Sequence, residues 1–549
     1  MTKKLFLSMK LIAAVAFMVV VFVGVGSSVH AADTNLSDGI TVDSKLDTGD
    51  LTLGDGECND GAGNCTLRAA IEEANNDPDS STIRFNLTGT ADYTVNGQNG
   101  YTINPATPLP VISETVTIDG YTQPNSSANT NSIGQPFNGV VLVRIDGTGM
   151  TGLQLGLHLK ADNTNVRGVS LTQLLGGIVI EDADNVVLEG SLIGITPDGQ
   201  GLGNTTAGVL LIDTNNTRIG GSSLASRNVL SFNDTGGSGG GTSIATQPSG
   251  PVTANTNMVV QGNYIGTGLD GKVDLANQSK NAGGVVIQGA GDTSLIGGTQ
   301  PNQSNIIVGN RGFGVAILSY TLSGLGMGIV PQKNAIIGNK IYDNIPRDLS
   351  PGGPNLNGLG IDLAQLDDSS NPPDGPDSFT NIGVTLNDTG DVDTGPNNYI
   401  NFPVLNSVTQ KDGKATVNFS LDAADSPTNQ YRVELFANDT GDETGYGEGQ
   451  TFLGAFTVSN GNNQQSTVTL PAGLSIVGKS ISATTTAVDA STQSGFGATS
   501  EFAKFVTATN SAENNLASTG QNVGLLTMMS FSAICIMGSV VLQRRLSKN

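Results

Sequence analysis

The chain has 549 residues, 74 of them Gly, with no Trp, 13% charged residues and a formal charge of −23 at pH 7. That acidity excludes a partner held through a basic stripe, so no nucleic acid is expected. The length exceeds what one compact core fills, and a polar set rich in Asn, Thr, Ser and Gly suits strands and turns better than helices.

The first residues, Met1-Thr2-Lys3-Lys4 and Lys10, precede an apolar run from Leu11 to Val25 and then Val29-His30-Ala31. A basic start, a short apolar stretch and a small-x-small ending predict a secretory signal peptide over 1–31, cleaved after Ala31; an uncleaved anchor is the alternative. Residues 32–129 hold the first strands and one short amphipathic helix. Thr66 can cap that helix, and Leu67, Ala70, Ile71 and Ala74 fall on one side of it. Such a helix would cover the open end of a strand stack, where an uncovered edge invites unwanted pairing. Outside the cell, Cys58 and Cys65 are expected to close a Gly-rich loop as a disulfide, two free thiols being the alternative. Cys535 lies in an apolar run and reads as a passive small residue. His30 and His158 are the only histidines, which removes the usual zinc ligands.

From 130 to 365 the chain repeats itself. Val186-Val187-Leu188-Glu189-Gly190 returns as Met258-Val259-Val260-Gln261-Gly262, Arg218-Ile219-Gly220-Gly221 as Leu295-Ile296-Gly297-Gly298, and a third copy opens at Ala335. The unit is roughly 75 residues and is divided into short apolar strand pieces ended by Gly or Asn, which describes a parallel β-helix with a coil roughly every twenty residues. Asn at recurrent turns tolerates the left-handed conformation and can bond along the stack.

Residues 366–398 are crowded with Asp, Asn, Pro and Gly. Alternating carboxylates there, with Asp388, Asp391, Asp393 and Asn397 as the named ligands, can turn hard oxygens toward a calcium ion; a solvated acidic linker is the alternative. The EF-hand pattern is absent. Over 399–508 the pattern changes to in-out alternation, as in Ala415–Leu421 and Tyr431–Phe436, which predicts an immunoglobulin-like sandwich. A linker, 509–515, leads to Leu516-Ala517-Ser518-Thr519-Gly520, an uncharged apolar run over 523–542 and a basic tail. That run is long enough to span a bilayer, and the arginines after it hold the tail inside the cell.

Two stretches resemble known patterns. Cys65-Thr66-Leu67-Arg68-Ala69-Ala70-Ile71-Glu72-Glu73-Ala74-Asn75 resembles the C-S-L-R-E-A-I-x-x-A-N motif of bacterial right-handed parallel β-helix surface proteins. The similarity extends over about residues 45–510, including Gly445–Gly454 and Thr499-Ser500-Glu501-Phe502 near its end. The C-terminus resembles a Gram-positive sorting signal in which a sortase cuts between Thr519 and Gly520, with Ala517 where that family usually has Pro. The resemblance implies an all-β chain with a pectate-lyase-like β-helix, a sandwich and one terminal transmembrane helix. It also supports calcium at the acidic loop, which follows the family's N-D-x-x-D-x-D-x-G-x-N pattern. Attachment to peptidoglycan by a sortase, or to the membrane alone, would place the chain at the cell surface.

Many β-helices cleave polysaccharides, so Asp343, Arg347, Asp348 and Asp362 are the acids and base to weigh for a lyase or hydrolase groove. No complete catalytic signature accompanies them. The expectation is therefore an adhesin, glycan-binding stalk or spacer that touches an extracellular glycan or neighbouring surface and requires no cofactor. Tyr264, Tyr320 and Tyr342 could stack on sugar faces, packing being the alternative.

Overall fold

The computed structural model describes residues 39–233, 242–247, 249, 254–272, 283–322, 327–348, 355–356, 358–367, 378–380 and 383–511. Ala31, the 516–520 motif, Cys535 and the 523–542 run lie outside them. Among the described residues no helix is long and apolar enough to cross a membrane.

The chain is mostly β. Three nine-stranded sheets dominate it, and their strands alternate in sequence, so that Val187–Glu189, Leu192–Ile193 and Ala207–Ile212 feed three different sheets before the first is revisited at Arg218–Gly220. Pairing between successive visits is parallel throughout this region. This is the arrangement expected of a parallel β-helix. Nine rungs at the usual strand spacing of about 4.8 Å give a stack of roughly 40 Å. The interior is a continuous column of aliphatic side chains, among them Ile118, Val166, Leu188, Ile219, Val260, Ile296 and Ile336 along one sheet.

The coil length varies: Asn165 and Val187 on neighbouring rungs lie 22 residues apart, near the expected twenty, and later coils are longer. Stacked turn residues lie 31 apart (Asn185 and Asn216), 41 apart (Asn216 and Asn257), 36 apart (Asn257 and Thr293) and 40 apart (Ser294 and Asn334). The long sequence repeat therefore spans two coils. In the coil that opens at Val187 the extra length lies in the connection 194–206, which carries turns of its own between Leu192–Ile193 and Ala207–Ile212.

The turn asparagines form ladders inside the stack. Asn228 Nδ2 donates to Asn263 Oδ1 (3.0 Å), Asn263 to Asn305 (3.2 Å) and Asn305 to Asn339 (2.9 Å), and a second column joins Asn310 to Asn344 (3.0 Å). These amides are buried, so each bond removes the cost of leaving a polar group dry, about 1–3 kcal/mol. Gly194 shows why the strand pieces end on Gly: its φ is +81°, and a Cβ there would lie 2.0 Å from Ser231 O.

At the N-terminal end the helix Leu67–Ala74 seals the first coil. Thr66 Oγ1 accepts from Ala69 N (3.1 Å), and Leu67, Ala70, Ile71 and Ala74 are buried against the column, as their spacing predicts. Arg68 makes a fork to Asp47 and bonds Thr107 O and Pro108 O, which ties helix to loop. Cys58 and Cys65 are joined by a disulfide with Cα atoms 5.1 Å apart.

After the last coil, two mainly antiparallel sheets enclose a second apolar cluster. One holds Gly461–Thr469, Lys414–Leu421, Val404–Lys411 and Thr509–Asn510; the other holds Thr451–Val458, Tyr431–Asn438, Ser480–Val488, Phe496–Thr499 and Val506–Thr507. The inward alternation of Ala415, Val417, Phe419 and Leu421 explains the first sheet's core face.

Candidate metal centre and the joint beside it

The acidic loop enters through a left-handed pair, Gly390 (φ 79°) and Asp391 (φ 51°). A Cβ at Gly390 would meet only Val392 Cγ1, at 3.7 Å, so it is the backbone angle that calls for glycine there. The reversal brings one carboxylate oxygen each from Asp388, Asp391 and Asp393 within 4.8 Å of one another. Oxygens that each sit 2.3–2.6 Å from a calcium ion are separated by up to about 5 Å, so the spacing fits a hard cation.

The electrostatics agree with that fit. Asp391 is buried, and this pushes its carboxyl up to about 6, against bonds from Ala424 N and Asn401 N, with Asp425 and Asp393 adding repulsion. Burial also raises Asp393, helped by the charge of Asp388, and raises Asp425. Asp393 Oδ1 and Asp425 Oδ2 are buried atoms with no hydrogen-bond partner. Two dry, orphaned carboxylate oxygens beside like charges are costly unless a cation or protons accompany them.

Asp425 stands beside this trio, its charge raising Asp391 and Asp393, and was not legible as a neighbour. It lies beyond the first strand pair of the sandwich, and no local spacing connects it to 388–393. Asn397 is placed differently from its expected role. Its side chain is fully buried and continues the coil turns: Oδ1 accepts from Asn334 N (2.9 Å), while Nδ2 donates to Asn334 O (2.8 Å) and Thr499 O (3.1 Å). The amide that suited a calcium ligand is used to cap the stack. A second acidic trio, Asp50, Asp55 and Glu73, stands near the N-terminal helix. There Glu73 already accepts from Gly54 N (2.7 Å) and Gly56 N (2.6 Å).

Beside the metal centre, the sandwich closes the open end of the coils. Three of its glutamates accept backbone N–H groups of the last coil: Glu434 from Gly338 (2.8 Å), Glu448 from Asp343 (2.6 Å) and Asn344 (3.1 Å), and Glu501 from Leu363 (2.9 Å). Each serves a different sheet of the stack. Ile341 and Gly449 exchange both backbone bonds, and Thr499 Oγ1 accepts from Ile336 N (2.9 Å). Phe436, Phe452 and Phe502 pack edge to face at the base of the column. Burial pushes Glu448 up to about 8 and raises Glu434, which Arg432 partly offsets.

Of the residues considered for a catalytic groove, only Asp343 and Asp362 have described side chains. Asp362 is buried beneath Glu501 and the 383–385 segment, Asp343 lies at the sandwich joint, and the side chains of Arg347 and Asp348 lie outside the description. Among the tyrosines, Tyr264 is fully buried under Arg227 and the 133–137 loop, bonding Gln135 O, so it packs and does not present a sugar platform. Tyr342 is half-buried against the same apolar patch, and the Tyr320 side chain is outside the described set.

No family model matches the chain, and no curated protein matches it.

Proposed function

We propose that the chain is an exported stalk of the right-handed β-helix surface-protein type, ending in an immunoglobulin-like sandwich and held at the envelope by its C-terminus. The observation that supports it best is the closed stack: a helix seals one end, the sandwich seals the other, and asparagine ladders run within it. A long, regular polar face gives many weak contacts to a glycan or neighbouring surface, and multiplicity turns these into adhesion. Calcium is the cation proposed for Asp388, Asp391, Asp393 and Asp425; it would neutralise the loop that joins coils to sandwich and supply no reaction step. Sorting at Leu516-Ala517-Ser518-Thr519-Gly520, with cleavage of the leader after Ala31, would leave the chain on peptidoglycan; the 523–542 run alone would leave it in the membrane.

The test is envelope fractionation and protease shaving of cells expressing the full chain, compared with Thr519→Ala. Shaving of the intact protein, with release by muramidase only when Thr519 is present, is the expected result. Retention in the cytoplasm would sink the proposal, and detergent release of both forms would favour the membrane anchor.

A further inference from the structure

We propose that the joint between the coils and the sandwich is a proton-operated latch, in which Asp362 of the last coil and Glu501 of the sandwich hold one proton between them and its loss loosens the sandwich's grip. The two side chains come from opposite sides of the joint and are both buried, at 1% and 2% exposure. Glu501 spends its oxygens on Leu363 N (2.9 Å) and Thr385 N (2.8 Å), and Asp362 accepts from Gly383 N. That leaves Asp362 Oδ1 buried with no donor at all. A carboxyl proton on that oxygen, shared with Glu501, supplies the missing bond and removes one of two facing charges.

Among the described residues of the elements packed here, no free cation competes for the role. The strand Leu359–Asp367 adds only Asp367 to the ionisable groups, and its neighbour Phe313–Leu322 only Tyr320. Pro396–Tyr399 and Ser378–Thr380 bring Tyr399 alone, and 383–385 brings nothing that titrates. On the sandwich side, Ser480–Val488 and Phe496–Thr499 carry no charge, and Arg432 is taken by Glu434 at 2.8 Å. Burial raises both carboxyls, Glu501 further because Asp362 faces it. A folded-state value above the unfolded one means that the stabilisation is complete below the unfolded carboxylate range and is lost as pH rises through the folded value. The joint is therefore tightest in mild acid and loosens toward alkaline pH.

Calorimetry of the full-length chain in EDTA between about pH 5 and about pH 8 tests this, with Asp362→Asn and Glu501→Gln beside the wild type, the expected difference being about one proton per molecule. Each amide mimics the protonated partner and can donate to the other acid. The wild-type unfolding midpoint should fall across that interval. Either variant should show a shallower slope and a higher midpoint than wild type at the alkaline end. The slope left in the variants belongs to the other carboxyls raised by burial, among them Asp391, Asp425, Glu434 and Glu448. If one variant does not fold, the other carries the comparison; slopes equal to wild type in the folded variants would overturn the latch.

Discussion

At the scale of single residues, buried amides and carboxylates govern this protein more than its few aromatics do. Asn263 sits mid-ladder, donating to Asn305 Oδ1 and Ile219 O and accepting from Asn228 N and Nδ2, so Asn263→Leu removes four side-chain bonds at once. Its expected cost is about 2–4 kcal/mol from the buried groups left unpaired, read as a lower denaturant midpoint with unchanged slope. At the metal centre, the raised carboxyl of Asp391 fixes the sign of a pH effect. Without metal, stability is lost as pH rises through about 6, because the folded site must ionise where the unfolded chain ionised earlier. Added calcium should reverse that, so the calcium-induced rise in melting temperature is expected to be larger at about pH 7.5 than at about pH 5. Equal rises at both pH values, or none in wild type, would remove Asp391 from the site.

At the scale of elements, each end of the stack has a device that can be removed separately. Thr66→Ala deletes the bond to Ala69 N and is expected to cost about 1 kcal/mol. Replacing both Cys58 and Cys65 with Ser opens a short loop, a loss of about 2.5 kcal/mol from chain entropy alone. Both changes should lower the melting temperature without altering the far end, as limited proteolysis near Gly338 would report. Much of this was legible beforehand. The helix face at Leu67, Ala70, Ile71 and Ala74 follows from spacing, and the alternation in Ala415–Leu421 marks its sheet. What was not legible needed partners distant in sequence. Glu434, Glu448 and Glu501 look like surface acids until the last coil's N–H groups are laid against them, 96, 105 and 138 residues away. Asn397 was misplaced for the same reason: an amide next to alternating acids reads as a ligand, and only the stack shows the turn it completes.

At the scale of the whole molecule, the coils, the sandwich and the acidic loop form one mechanical path. The interior column ends on Phe436 and Phe502, which themselves belong to the sandwich. Glu434, Glu448 and Glu501 are distributed over this path as caps on the last coil's N–H groups. The central claim, a stalk that binds glycans without cutting them, is tested most directly by incubating the full-length chain with a panel of polysaccharides while recording bound protein together with reducing ends and unsaturated uronates. The account predicts retention on at least one polysaccharide with no release above the buffer control. Release that vanishes in Asp343→Asn or Asp362→Asn, with folding intact, would contradict it.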